Sequence, residues 1–249
     1  TEVRKFDASS NQLWELLGLT YVDNADAVPG TDGTEVHTQT RRITIDYSKP
    51  TGQQWTYAGC TFDPFTYPQD ARATQSQPGP AAVRMIGGSK ILFITQMDAN
   101  WVAMYRFQSG SEIAIPCGLI KRETARGQPG NTFYIWVDAN GDGAVDANEV
   151  DTSLASRSEI WGFTIDDNGG LWAADKGSDK IRYYPCKGLN SIGAPKYGAL
   201  YSGTSEQEWP APSDFIGGST VYPLRAVHSA ANDELYVGGY RVGREEQRW

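Results

Sequence analysis

Apolar stretches long enough to cross a bilayer are missing from this sequence. No run approaches the roughly 18 residues that a spanning helix needs, which excludes a helical membrane span. A sustained i, i+3, i+4, i+7 apolar stripe is also missing, which argues against a helical protein. "NQLWELLGL" (11–19) comes nearest, and it reads equally as a strand followed by a Gly turn. Histidine is scarce: His37 and His228 are too few for most zinc chemistry. So is cysteine. The spacings of Cys60, Cys117 and Cys186 fit neither a zinc ribbon nor a CxxC redox pair. They leave open one disulfide with a spare thiol, or three buried thiols. Positive charge is in deficit, with 22 Lys and Arg against 30 Asp and Glu and a formal net charge of −8. That balance disfavours nucleic acid or an anionic membrane as the main partner. No Ser-His-Asp arrangement, sialidase-type Asp box, phosphate-binding Gly loop or haem motif is present. Thr1 stands where an initiator Met would, so a processed or excerpted chain is expected, with further domains of a longer parent.

What is present points to strands and turns. The 249 residues are 39% hydrophobic and 12% aromatic, with 27 Gly and 13 Pro. Aromatic residues favour strands, and this many Gly and Pro predict many turns. One pattern recurs in three places: "RMIGGSKILFITQMDANWVAMYRF" (84–107), "GFTIDDNGGLWAADKGSDKIRYYP" (162–185) and "RAVHSAANDELYVGGYRVGREEQRW" (225–249). Each has an apolar strand, a polar turn, a strand containing a leucine, a second polar turn and another strand. The matching leucines are Leu92, Leu171 and Leu235, 79 (171 − 92) and 64 (235 − 171) residues apart. A propeller blade takes roughly 40–50 residues, so the first interval predicts two blades, with "TFYIWVD" (132–138) as a strand of the extra one. Near the N-terminus, "VRKFDASSNQLWEL" (3–16) and "RRITIDYSKPTGQQWTYAG" (41–59) read as hairpins. The expected fold is all-β: a β-propeller of four-stranded blades over 1–249, four or five units, possible as part of a longer propeller.

The segment "FTIDDNGGLWAADKGSDKIRYYP" resembles an NHL-type repeat. There an apolar strand, a D-x-x-G turn, "LWVAD"-like residues and a G-x-x-x-I-x-x-[FY] strand follow in order. In this chain they are Ile165, Asp166 to Gly169, Leu171 to Asp175, and Gly177 to Tyr184. Gluconolactonase-like calcium propellers carry the same pattern. The resemblance covers about 25 residues and implies a fold rather than an activity.

"YIWVDANGDGAVDANEV" (134–150) starts as a strand and ends as a cation loop. Asp138, Asn140, Asp142, Gly143, Asp146 and Glu149 hold positions 1, 3, 5, 6, 9 and 12 of D-x-[DN]-x-[DN]-G-x₅-E. Calcium takes six to eight hard oxygen ligands in flexible geometry. Short oxygen-bearing side chains at alternate positions converge in one turn. The Ala144 carbonyl adds another oxygen, and Glu149 can close the set with both of its own. The loop, 138–149, resembles the EF-hand ligand loop at every ligand position. The flanks depart from it: "TFYIWV" is β-prone and gives no entering helix, so the opening motion of paired EF-hands is not implied. The expected cofactor is Ca2+, in a structural clip inserted between strands. The plain alternative is an Asp/Asn/Gly turn that binds nothing.

Asp23, Asp26, Asp32 and Glu35 form an acidic loop whose spacing matches no ligand pattern, and a solvated loop is expected. Glu159, Arg84 and Arg225 lie near the starts of strands without forming an ordered catalytic set. Trp136, Trp161, Trp172 and Trp209 are the candidates for stacking on a sugar ring, although propeller cores also use aromatics. The sequence thus predicts a secreted or cell-surface, calcium-stabilised binding module for a glycan or protein ligand. The alternative is a propeller enzyme, hydrolase or lyase, acting on carbohydrate or a lactone.

Overall fold

The computed structural model describes residues 2–17, 24–75, 78–96, 101–123, 132–175, 180–211, 213 and 223–239. Their strands form five antiparallel sheets, and the helical content is two 3-10 turns, Ala71–Ala73 and Ala147–Glu149. The chain is all-β.

The first sheet is the hairpin of β1 (Glu2–Phe6) and β2 (Gln12–Leu17). The second has four strands in order: β3 (Asp26–Ala27), β4 (Glu35–His37), β5 (Arg41–Ile45) and β6 (Trp55–Cys60). Alternation is clear in β5, where Ile43 and Ile45 are buried and the residues between are not, as a strand with one covered face requires. The third sheet is the largest: β7 (Pro78–Ile86), β8 (Ser89–Gln96), β9 (Trp101–Phe107), β10 (Ala114–Glu123), β11 (Thr132–Val137) and β12 (Val150–Asp151). The fourth sheet is β13 (Ile160–Ile165), β14 (Leu171–Asp175), β15 (Lys180–Tyr184) and β16 (Gln207–Pro210), and the fifth is β17 (Pro223–Ser229) with β18 (Glu234–Gly239).

The sheets stack face to face in chain order. One face of the six-stranded sheet packs Ile91, Phe93, Met104, Phe133 and Ile135 against Ile165, Leu171 and Tyr184 of the fourth sheet. Its other face packs Val83, Leu92, Tyr105 and Trp136 beneath Val28 and Ala71, from the side of the second sheet. Covered on both faces, its strands lose the alternation seen in β5: β8 is buried from Ile91 to Thr95 and β11 from Phe133 to Val137. Leu92, Leu171 and Leu235 lie on three separate sheets, each on the second strand of a hairpin. Each faces the sheet before its own, Leu235 toward Ile181 and Trp172. Among the described residues no pairing joins the first sheet to the last.

The interval between Leu92 and Leu171 departs from the expected two blades. Residues 132–137 do not begin a separate unit; they pair with 118–123 and extend the sheet that contains Leu92. β10 is a central strand whose residues 118–121 pair with β9 on one edge and β11 on the other, beyond a bulge at Pro116–Gly118 where Pro116 has no N–H for the ladder. A Cβ at Gly118 would sit 2.7 Å from Met104 Sδ, so glycine permits the close approach. Cys60, Cys117 and Cys186 are all free thiols, and only Cys117 is fully buried.

Candidate metal loop and aromatic surface

The loop leaves β11 at Asp138 and returns through the Ala147–Glu149 turn to β12, where Val150 and Asp151 pair with Trp136 and Ile135. Its entry is therefore a strand, as the flanking sequence predicts, and its exit is a single 3-10 turn rather than a helix. Gly143 has φ +72°, and a Cβ there would lie 2.8 Å from Tyr67 Cδ1 and 3.3 Å from the Pro116 carbonyl. Only glycine meets both demands without strain.

Two of the loop's carboxylates are buried, Asp138 at 0% and Glu149 at 3% exposure. The Gly141 N–H donates to Asp138 Oδ1 (2.6 Å) and the Gly143 N–H to Oδ2 (3.3 Å). Glu149 reaches back across the loop. Its Oε1 accepts from the Ala139 N–H (2.8 Å) and the Asn140 N–H (3.2 Å), and its Oε2 from the Trp136 indole (2.9 Å). Neither carboxylate is in an ion pair among the described residues. The nearby Arg106 guanidinium donates instead to the Gly141 carbonyl, 3.1 Å. Asp142 and Asp146 converge on one group, the Asn140 amide, whose Nδ2 donates to Asp142 Oδ2 (3.2 Å) and Asp146 Oδ2 (3.0 Å). A neutral donor thus stands between two carboxylates. Ala144 is half-buried, and its N–H donates to Asp142 Oδ1 at 2.8 Å.

The donor set fits calcium in kind and order: four carboxylates, an amide oxygen and a backbone carbonyl are hard ligands. Among the described residues Asp138 and Glu149 are buried without a cationic partner, their oxygens accepting from N–H donors. The side chains are not gathered into a cage, however. Among the described residues no three His, Cys, Asp or Glu stand together as a metal-ready group. The Asn140 amide would have to turn its oxygen inward to join the set.

The candidate tryptophans fall in different surroundings. Trp136 is 3% exposed and its indole N–H is committed to Glu149, so the sequence expectation of a ligand platform there is corrected. A strand covered on both faces buries its aromatics. Trp172, on β14, has three ring neighbours: Tyr183 at 4.6 Å, His228 at 4.8 Å and Trp209 at 5.4 Å. Of these rings Trp209, on edge strand β16, is the open tryptophan, at 37% exposure. Trp161 belongs to β13, but its side chain lies outside the described residues. Arg225 is in the same position. In the acidic loop, Asp26 pairs with Arg84 (2.9 Å) and Glu35 with Lys90 (2.6 Å); Asp23 is outside the described residues.

One cluster carried no signal in the sequence. Asp175 on β14 accepts from Arg182 Nε on β15 at 2.5 Å, and Glu208 on β16 pairs with Arg182 and with Arg157 (2.6 Å). Burial raises the Asp175 carboxyl to about 6, with the Arg182 pairing opposing it. Strand register sets Arg182 opposite Ala173 and Glu208, and Arg157 reaches Glu208 from the segment between β12 and β13.

No protein-family model matches the chain, and no curated protein matches it. Among solved structures, a Bacteroides fragilis NCTC 9343 protein assigned as a 6-phosphogluconolactonase is similar over 79% of this chain, at 9% identity and a TM-score of 0.36. The matched region spans 62% of that protein's chain. At this degree of likeness it carries no argument for fold or activity.

Proposed function

We propose that this chain is a calcium-stabilised, secreted or cell-surface module of β-propeller type that acts by binding a glycan or protein ligand. The observation that carries the calcium reading is the burial of Asp138 and Glu149 with, among the described residues, no cationic side chain paired to either. Asp138, Asn140, Asp142, Asp146 and Glu149 would hold the ion through side-chain oxygens and Ala144 through its carbonyl. Bound there, calcium supplies the positive charge that these carboxylates lack. The chain's own part is to hold the loop ready: the Gly141 and Gly143 N–H groups orient Asp138, and the Trp136 indole orients Glu149.

The radial arrangement is supported by the repeated placement of Leu92, Leu171 and Leu235 toward the preceding sheet. The ligand surface is assigned to the edge around Trp209, where an exposed ring backed by Trp172 offers a face for a sugar. Calorimetric titration of metal-stripped protein tests the calcium reading. One molar equivalent of calcium should bind, and Asp138→Ala with Glu149→Ala should abolish the heat. No heat with the unaltered protein overturns the reading. A melting point indifferent to chelator, together with calcium-dependent turnover of a sugar or lactone, would move the metal into an active site and favour the enzyme alternative.

A further inference from the structure

The cation loop belongs to the six-stranded sheet, yet much of what touches it comes from elsewhere. Residues 185–206, which join β15 to β16 of the fourth sheet, grip it at both ends. At its first residue, Asn190 Nδ2 donates to the Asp138 carbonyl, 2.7 Å. Just past its last, the Ala199 N–H donates to the Asp151 carboxylate. Between these points Ile192 lies over Gly141, where a Cβ would stand 3.7 Å from Ile192 Cγ2. The gripping segment is internally braced: Lys187 Nζ donates to the Gly198 carbonyl (2.8 Å) and the Tyr201 carbonyl (2.9 Å), and the Ala194 N–H donates to Asn190 Oδ1 (2.9 Å). Asn190 is thus held by its own turn while its amide nitrogen reaches 52 residues back along the chain.

We propose that the loop is a cation-dependent clamp between two sheets, in which occupancy of 138–149 sets how firmly the 185–206 connector seats on the six-stranded sheet. The proposal rests on the calcium reading above and goes beyond it, since a loop can bind calcium without fastening anything outside itself. The physical route is short. Asp138 supplies a carboxylate to the cation site, and its own carbonyl is the acceptor for Asn190. A cation that draws Asp138, Asn140, Asp142 and Asp146 together fixes the backbone from which that carbonyl projects. Without it, the carboxylates of Asp142 and Asp146, which share one neutral donor, repel one another, and the bolt has a looser anchor. A clamp of this kind makes the exposure of the connector report calcium concentration through a local opening, without unfolding the whole chain.

Hydrogen exchange followed by mass spectrometry, on the full chain with calcium or with chelator, reads the clamp; calorimetry on the same samples reads binding. Calcium should slow exchange in peptides from 186–201 at least tenfold while leaving β1–β2 peptides unchanged. Asn190→Ala should still give calcium heat, but the protection of 186–201 should fall most of the way to the chelated value. Asn190→Asp, close in size but without the amide donor, should behave alike and serves where the alanine variant fails to fold. Calcium heat with no change in 186–201 exchange overturns the clamp and leaves the calcium reading standing. Full protection in both folded variants also overturns it. No calcium heat in the unaltered protein overturns the calcium reading and the clamp with it.

Discussion

Gly143 shows how much a single position can be asked to do. Its φ of +72° is one that side chains rarely adopt, and Tyr67 and the Pro116 carbonyl close off the space a Cβ would take. Gly143→Ala should therefore destabilise the fold by about 1–3 kcal/mol, read as a shift in denaturant midpoint at unchanged slope. An alanine variant as stable as the original would mean that Tyr67 gives way freely. Asp175 makes a different demand. Burial raises its carboxyl to about 6, above the 3.8 of the exposed group. A raised carboxyl favours the protonated folded state. The stability it contributes is complete below about pH 4 and is lost as pH rises through about 6. Other acids also titrate over this range, so the useful quantity is the difference between the unaltered protein and Asp175→Asn. From pH 7.5 to 4 the unaltered protein should gain on the variant by up to roughly 3 kcal/mol. A constant difference in chemical unfolding across that range would show that the Arg182 pairing cancels the effect of burial.

At the scale of elements, the connectors rather than the strands decide how the sheets sit. Residues 61–75, between β6 and β7, carry the buried pair Asp70–Arg72 (2.6 Å). Arg72 also donates to the carbonyls of Gln39 (3.1 Å), Thr61 (3.3 Å) and Ala114 (2.9 Å), and its guanidinium lies 4.0 Å from the Tyr105 ring centre. One side chain thus ties the second sheet, its exit segment and the six-stranded sheet together. Arg72→Ala should cost about 3–5 kcal/mol, because Asp70 is left buried and three carbonyls lose a donor. Asp70→Asn with Arg72→Met, which removes both charges at similar volume, should cost less than the single alanine. Equilibrium unfolding of the two variants beside the unaltered protein checks the order. The same connector lays Tyr67 on Gly143 and sets Gln69 Oε1 3.4 Å from the Val145 nitrogen, so it too meets the cation loop.

For the whole molecule, calcium should act as a native-state ligand. Binding to the folded chain alone adds about 2.7 kcal/mol at a hundredfold excess over Kd. For a chain of this size each kcal/mol moves the melting point by about 2–4 °C. Melts with calcium and with chelator should therefore separate by about 5–10 °C. Magnesium should restore less, since it demands a tight octahedral shell and holds its waters. Equal restoration by both ions would mean that the effect is charge screening rather than coordination. Because the sheets stack in chain order, local pairing is formed largely between neighbours in sequence. The cation loop extends from the third sheet and is met both by the connector of the fourth, through Asn190, and by residues 61–75, through Tyr67 and Gln69.

The sequence by itself determined the all-β character, the hairpins at 2–17 and 41–60, the turn between β13 and β14, and the order of oxygen-bearing side chains from Asp138 to Glu149. These are short-range matters, decided by turn chemistry and by alternation within a few residues. Only the tertiary structure decided that β11 joins the sheet of Leu92 and that Trp136 is buried on the indole bond to Glu149. It alone brought Arg182 to Asp175 and Asn190 to the first residue of the cation loop. Strand register and face-to-face packing set those contacts, over separations from 7 residues for Asp175–Arg182 to 52 for Asn190–Asp138. A covered strand and a half-covered one draw on the same apolar and aromatic residues, and what lies above each face tells them apart.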